Sequence, residues 1–171
     1  MKKIFSLLLL VAATFGLASC DRETNVSAGG TAVQNLAGIW DVQVDVIEIG
    51  EDGTETHYGD YYGYGTFQIY TYNTVENDKD SLWVDDLGNF WDVLAKVGCN
   101  TSDRTFSAKD AVNVNEDKTV EKCRVEGKVL PGAAINLHGK PNDSICVDFE
   151  FDTDPGMVYR YAGQRYTGFY E

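Results

Sequence analysis

The stretch Gly38–Ile49 reads GIWDVQVDVIEI and alternates apolar with polar residues over most of its length. Its apolar side chains share one face of an extended chain: Trp40, Val42, Val44 and Val46. The polar residues between them share the other face: Asp41, Gln43 and Asp45. Because successive side chains of a strand point to opposite sides, this pattern predicts a β-strand with one buried and one solvated face.

Similar runs recur along the chain with turn residues between them. We predict eight strands: Gly38–Ile49, Gly65–Asn73, Ser81–Asp85, Phe90–Val97, Arg104–Ala108, Thr119–Leu130, Ser144–Phe151 and Met157–Phe169. Turns such as Asp154-Pro155-Gly156 are short, so neighbouring strands should pair antiparallel. We therefore expect an all-β fold, an eight-stranded antiparallel up-and-down barrel, because closure removes unpaired strand edges. A β-sandwich is the alternative.

The first twenty residues have the parts of a bacterial lipoprotein signal. Lys2 and Lys3 form a basic start, an apolar run follows, and Leu17-Ala18-Ser19-Cys20 supplies small residues and a thiol for acylation. We predict a signal peptide over residues 1–19 and lipidation at Cys20. Residues 20–35 are predicted to be an acylated flexible tether, and residues 36–171 the barrel domain. An uncleaved membrane helix is the alternative, but the apolar segment is shorter than the ~20 residues that a span needs.

Charge limits the partners that the mature chain can bind. Residues 20–171 carry 12 basic and 27 acidic side chains, a formal charge of −15. Nucleic acid is therefore an unsuitable partner, and attachment to a membrane should depend on the acyl chains rather than on a basic surface. We predict a protein anchored by lipid to the bacterial outer membrane, on its periplasmic face or at the cell surface.

The cysteines give little support to a metal site. Cys99, Cys123 and Cys146 remain besides Cys20, and an odd number allows at most one internal disulfide. Their spacing forms no pair of zinc ligands, and the only two histidines, His57 and His138, lie far from them in sequence. Small buried apolar side chains are the better interpretation. We predict no metal and no cofactor.

Two resemblances add to this interpretation. Gly38-Ile39-Trp40 resembles the Gly-x-Trp signature of lipocalin-like (calycin) barrels, which implies that Trp40 closes one end and that Arg165 of the last strand packs across it. More of the chain resembles a family of lipoproteins from Bacteroides-like bacteria described as lipid-binding putative hydrolases. The resembling stretches are Leu36–Trp40, Tyr70–Thr74, Leu82–Trp91, Asp154–Gly156 and Tyr166–Phe169. The resemblance implies a calycin-like barrel and a lipoprotein, without a mapped active site.

Aromatic residues are the candidate ligand contacts. Four tyrosines alternate with glycine and aspartate in one segment: Tyr58, Tyr61, Tyr62 and Tyr64. Rigid rings with one polar end suit both apolar ligands and sugars. The alternative is a loop that plugs one end of the barrel. Trp83 and Trp91 flank a hairpin turn, where they either line the pocket or stack as a pair, or else pack in the core.

Catalytic and calcium sites have weaker support. No Gly-x-Ser-x-Gly motif occurs, and neither histidine has a nucleophile beside it in sequence. Four acidic residues could bind calcium, although a solvated acidic rim is the better interpretation: Asp78, Asp80, Asp85 and Asp86. We predict a non-catalytic protein that binds a small apolar or amphipathic, lipid-like ligand in the barrel mouth. The alternatives are an accessory or scaffold subunit of a surface complex for nutrient or glycan uptake, and third, a hydrolase.

Overall fold

A computed structural model describes residues 29–168, all of whose regular structure is β. Its strands are β1 (Gly38–Ile49), β2 (Glu55–His57), β3 (Phe67–Asn73), β4 (Ser81–Asp85), β5 (Leu94–Asn100), β6 (Thr105–Val112), β7 (Lys122–Ile135), β8 (Pro141–Phe151) and β9 (Met157–Arg165). The predicted signal peptide and Cys20 lie outside the described residues. Over that range, no helix is long and apolar enough to cross a membrane.

The strands form one closed barrel. All pairings are antiparallel, and apart from β2 each strand pairs with the next one along the chain. β1 pairs with β9 in a register that runs from Trp40 opposite Arg165 to Glu48 opposite Met157. This pairing closes a ring of eight strands, β1 and β3–β9, and leaves no free edge between the first and last strands. The predicted antiparallel, calycin-like barrel is therefore confirmed.

Most strand positions match the sequence pattern, and the exceptions have physical causes. β1 and β4 have the predicted bounds, whereas β5 begins at Leu94 rather than at Phe90. The chain before Leu94 forms a turn in which backbone N–H groups bind the Asp86 carboxylate instead of a neighbouring strand. β2 was not predicted, because its three residues are all polar and exposed and carry no alternation.

The interior of the barrel is filled by side chains. The largest of those that are fully buried are Trp40, Tyr159, Tyr161, Phe149, Leu36, Ile47, Ile69, Leu82 and Ile145. Strand alternation places most of these on inward positions, as the pattern of β1 predicts. An eight-stranded barrel is just wide enough for side chains to fill it, so a ligand would meet a packed core below the barrel's ends.

Trp40 and Arg165 close one end, which we call the closed end. The Arg165 guanidinium lies 4.3 Å from the Trp40 ring centroid and donates a 2.7 Å hydrogen bond to the carbonyl of Ala37. The Trp40 indole N–H donates to Thr71 Oγ1 at 2.8 Å. Val33 is also fully buried, although the sequence assigned it to the tether. The Arg165 guanidinium thus packs across the Trp40 ring and joins the last strand to the residues before the first.

The three described cysteines are free thiols. Cys123 is buried among apolar side chains, and Cys99 and Cys146 are half-buried. Burial raises the pKa of the Cys123 thiol to about 12 and raises the pKa of Cys99 and Cys146 as well. All three are therefore protonated and weakly nucleophilic at neutral pH.

Candidate ligand-binding site

The β1–β2 turn, residues 50–54, lies at the end of the barrel opposite Trp40 and Arg165, which we call the mouth; the preceding Ile49 N–H donates to the carbonyl of Gly156. Four further connections lie at the same end. They are residues 58–66 between β2 and β3, residues 86–93 between β4 and β5, residues 113–121 between β6 and β7, and residues 152–156 between β8 and β9. Because neighbouring strands run antiparallel, alternate connections lie at the same end. These four connections carry most of the aromatic residues that the sequence singles out as candidates.

A buried carboxylate shapes the β4–β5 connection. Asp86 is fully buried, and its Oδ1 accepts the backbone N–H groups of Gly88 at 3.0 Å and Val93 at 2.8 Å. Its Oδ2 accepts those of Trp91 at 3.0 Å and Phe90 at 3.4 Å. Burial raises the pKa of Asp86, and the four donors act in the opposite direction. The interpretation of Asp86 as part of a solvated acidic rim is therefore wrong: it holds Phe90 and Trp91 at the mouth.

An exposed carboxylate, Asp60, and a half-buried one, Asp45, hold the loop of residues 58–66, which we call the tyrosine loop. Asp60 accepts hydrogen bonds from the backbone N–H of Tyr64 at 2.9 Å and Gly65 at 2.7 Å, and these bonds lower its pKa. Asp45 accepts the N–H of Gly59 at 2.9 Å and contacts His57 Nδ1 at 2.6 Å. The loop is therefore bound to β1 at its start and turned back on itself at its end.

Phe90 is the centre of an aromatic cluster at the mouth. On its outer side it contacts Tyr64 and Tyr62, with ring centroids 4.7 and 5.6 Å apart. On its inner side it contacts Tyr159 at 5.6 Å and Tyr161 at 6.0 Å. Most of these contacts are edge-to-face, the arrangement that aromatic quadrupoles favour. Phe90 thus packs between the tyrosine loop and the buried aromatic core, and Tyr64 of the loop also contacts the buried Phe67 at 6.3 Å.

A cavity of about 310 Å³ lies at this cluster. Its lining is Tyr62, Tyr64, Phe90, Trp91 and Thr119. The structure thus brings together three of the six predicted contact residues, from two separate connections. Phe90 and Thr119 were not predicted as contacts, because Phe90 was assigned to a strand and Thr119 carries no aromatic signal. The neighbouring Trp91 was the signal that could have identified Phe90.

The other predicted contact residues lie elsewhere. Tyr58 and Tyr61 continue outward from Tyr62: the rings of Tyr61 and Tyr62 are 5.1 Å apart and those of Tyr58 and Tyr61 are 6.2 Å apart. Tyr61 is 69% exposed. Trp83 lies on the outer face of β4, between the inward positions Leu82 and Val84. Trp83 therefore occupies the opposite side of the sheet from the mouth cluster. The hairpin does not place Trp83 and Trp91 as a stacked pair.

Two polar groups beneath the mouth are left unpaired. The indole N–H of Trp91 and the hydroxyl of Tyr161 are buried and have no hydrogen-bond partner within the described part of the chain. The Tyr159 hydroxyl, by contrast, donates to Asp154. Burial raises the pKa of Tyr161 well above its ordinary value, so its hydroxyl remains protonated at neutral pH. Both unpaired groups can therefore donate a hydrogen bond.

The described residues offer little for metal binding or nucleophilic catalysis. Across residues 29–168, no three acidic, histidine or cysteine side chains form a group that could hold a metal ion. His57 is exposed on β2, and its two ring nitrogens contact Asp45 and Glu55 at 2.6 and 3.3 Å. These contacts are with carboxylates rather than with a serine or cysteine nucleophile.

A family model described as "Lipid-binding putative hydrolase" matches residues 25–170 of the chain. No curated protein matches it.

Proposed function

The chain belongs to the lipid-binding putative hydrolase family, and from this premise we propose that it is an envelope-anchored lipoprotein that binds a lipid-like ligand at the barrel mouth without catalysis. Family membership and the barrel fold support lipid binding. The site, the anchor and the absence of catalysis are the finer parts of the proposal.

The main observation in support of ligand binding is the cavity at the mouth. Its lining is mostly aromatic, and at about 310 Å³ it lies at the lower end of the range for small-molecule sites. Because the barrel beneath it is filled, we place the ligand in and over the mouth rather than deep inside the barrel. Aromatic rings with polar ends suit an amphipathic molecule, since they bury apolar surface and still offer hydrogen bonds.

The anchor follows from the sequence. Acylation at Cys20 would hold the protein at the bacterial outer membrane, on its periplasmic face or at the cell surface. The N-terminal side of the barrel is its closed end, where Val33 and Leu36 are buried, so attachment on that side would leave the mouth open. Incorporation of labelled palmitate into the chain, and its loss in Cys20→Ser, would test this part of the proposal.

Protonated thiols support a non-catalytic role, as does a histidine held by two carboxylates. A hydrolase would need an activated nucleophile beside a base. Any turnover of ester substrates by the purified protein would contradict the non-catalytic role, and turnover that survives in both Cys123→Ala and His57→Ala would place the chemistry elsewhere in the chain.

Native mass spectrometry tests the binding site directly. The full chain with Cys20→Ser is exported in a bacterial host, purified without detergent, and analysed for co-purified molecules before and after organic extraction. We expect a stoichiometric amphiphile that Trp91→Ala releases. Trp83→Ala is the matched control, because it removes the same side chain from the outer face of the same hairpin and should retain the ligand.

A second candidate function is a scaffold or accessory subunit of a surface uptake complex. The observation that favours it is the filled barrel together with the exposed Tyr61 ring, which does not line the cavity. A mass that stays ligand-free after incubation with lipids from the source cells would contradict the binding proposal. Co-purification of a protein partner that Tyr61→Ala releases would then support the scaffold.

A further inference from the structure

We propose that Phe90 is a displaceable plug, and that the site beneath it binds the hydrogen-bond-accepting head group of an uncharged amphiphile through the Tyr161 hydroxyl and the Trp91 indole N–H. This inference rests on the proposed lipid-binding function. It specifies the chemical class of the ligand and the direction in which it binds.

Two buried hydrogen-bond donors beneath the mouth have no partner within residues 29–168. Buried polar groups in proteins almost always have partners, because a lost hydrogen bond in a low-dielectric interior is expensive. Tyr161 is fully buried, yet its hydroxyl has no partner among the described residues, and the same holds for Trp91 Nε1. A ligand oxygen that accepts from either group would satisfy it. The indole N–H can only donate, so the matching ligand group must be an acceptor.

The two rings that carry these donors both lie against Phe90. The Phe90 ring lies 6.0 Å from the Tyr161 ring and 6.3 Å from the Trp91 ring. The Tyr161 ring also contacts Phe67 edge-to-face at 5.2 Å, and, besides burial, the Asp86 carboxylate of the β4–β5 connection is near enough to raise the pKa of its hydroxyl. Phe90 itself is only half-buried and faces the cavity. Rotation of this one ring would therefore open a path from the cavity to the donors.

The carboxylates around the mouth limit the charge that a bound head group can carry. Carboxylates surround the mouth: Asp86 lies beneath it, Asp154 accepts from Tyr159, and Asp60 holds the tyrosine loop. An anionic head group would be repelled by these charges in a site of low dielectric. A quaternary ammonium would suit the aromatic rings but accepts no hydrogen bond, so it would leave the donors unpaired. An uncharged ester, amide or ketone carbonyl satisfies both conditions.

A row of exposed tyrosine rings leads outward from Phe90. Tyr62, Tyr61 and Tyr58 extend outward from Phe90 with successive ring centroids 5.1 and 6.2 Å apart. With the head group inside, the apolar chain of the ligand would lie along these rings. This orientation explains why the tyrosines are exposed and why the core below the mouth is already filled.

Three probes of similar chain length test the ligand class: methyl decanoate, undecane and decanoate. Binding to the Cys20→Ser protein is measured by calorimetry at neutral pH. We expect methyl decanoate to bind at least about tenfold more tightly than either of the others, corresponding to about 1.4 kcal/mol. Equal affinity for methyl decanoate and undecane would overturn this inference but leave the proposed function standing. Failure of all three probes to bind would overturn both.

The tryptophans provide an independent readout. The chain has three, and in ¹⁵N-indole spectra Trp40 is already hydrogen-bonded to Thr71, while Trp83 lies on the outer face. We expect methyl decanoate to shift only the Trp91 indole N–H signal, downfield. A shift of the Trp83 signal with none at Trp91 would place the ligand on the outer face and contradict the inference.

Substitutions separate a ligand role from a structural one. Tyr161→Phe removes only the unpaired hydroxyl, so the variant should be at least as stable as the parent while its affinity for methyl decanoate falls about tenfold and its affinity for undecane is unchanged. Phe90→Ala should raise the association rate of methyl decanoate, since the plug is gone. Retention of full ester affinity in Tyr161→Phe, or slower association in Phe90→Ala, would overturn the proposal.

Discussion

Gly163 shows how a single residue position limits the sequence of this barrel. It lies on β9 opposite Val42 of β1 and Ile145 of β8. A Cβ atom at this position would lie 1.9 Å from the carbonyl oxygen of Asp41 and 2.7 Å from the Cα of Val42. Both contacts are with backbone, which cannot rotate away as a side chain can. The strand pairing that closes the barrel therefore requires glycine here.

We expect Gly163→Ala to destabilise the protein by about 3 kcal/mol, because β1 and β9 must separate to accept the methyl group. Urea denaturation followed by circular dichroism measures the loss. Gly98→Ala is the matched control: its added Cβ would meet the nearest atom at 3.6 Å, an ordinary contact. A Gly163→Ala variant as stable as Gly98→Ala would contradict the close approach of the two strands.

His57 provides a pH-dependent contact at the start of the tyrosine loop. The hydrogen bond to Asp45 is the main cause that raises the pKa of His57 above its ordinary value of 6.5, and the nearby Glu55 adds to it. Asp45 also accepts the N–H of Gly59, so the same carboxylate serves the histidine and the loop. Protonation of His57 therefore strengthens its attachment to β1.

We expect an NMR titration to give His57 a pKa above 6.5, and Asp45→Asn to lower that pKa more than Glu55→Gln does. Because the folded-state pKa is raised, the contribution of this contact to stability is fully present below pH 6.5. It is lost as the pH rises through the raised pKa. The stability difference between parent and Asp45→Asn should shrink over that interval, and a difference that grows with pH would contradict the ion pair.

At the scale of elements, the turn between β4 and β5 is organised by one side chain. Asp86 accepts four backbone N–H groups that would otherwise lie unpaired near the core. Because of this turn, β5 begins only at Leu94, and Phe90 and Trp91 lie at the mouth. The mouth therefore depends on the Asp86 carboxylate although Asp86 itself does not line the cavity.

Asp86→Asn should destabilise the protein by about 1–3 kcal/mol, because either placement of the amide sets an NH₂ donor against backbone donors. Thermal unfolding measures the loss, and the Trp91 indole signal should broaden or move as the turn loosens. Asp85→Asn is the control, since Asp85 Oδ1 accepts one exposed N–H, from Leu87 at 2.8 Å. Equal losses in the two variants would show that the buried carboxylate does not organise the turn.

At the scale of the whole molecule, the barrel is held at two ends by different means. The closed end uses Trp40 and Arg165, which join the first and last strands by stacking and by the bond to Ala37. The mouth uses connections whose aromatic rings pack on one another, centred on Phe90. The closed end is therefore held by polar, directional contacts, and the mouth by an apolar cluster in which the Phe90 ring can move.

We expect Arg165→Ala to destabilise the protein by about 2–4 kcal/mol, through loss of the cation–π contact and of the charged hydrogen bond. Arg165→Lys should restore only part of this, because an ammonium cannot both stack on the indole and reach the carbonyl as the planar guanidinium does. Urea unfolding of the three proteins measures the order. Full recovery by lysine would reduce the role of Arg165 to its charge.

The sequence by itself determined the barrel and its closed end. Alternation in β1 and β8 is a local property, so it predicts which residues face inward before any partner strand is known. Gly38, Trp40 and Arg165 were identified through their resemblance to the calycin signature, which their places in the first and last strands support. The tyrosine loop was also identified, since its composition alone marks it.

Only the tertiary structure decided what the mouth contains. Phe90 and Tyr161 are 71 residues apart in sequence, and their contact exists because strand pairing closes the barrel. The turn that displaces β5 depends on a buried carboxylate, which resembles a solvated one in the sequence because burial is a property of the whole fold. Trp83 and Trp91 were equal candidates for the same reason. Local sequence indicates which face of a sheet a side chain occupies. Which of the two faces a ligand can reach depends on how the barrel closes.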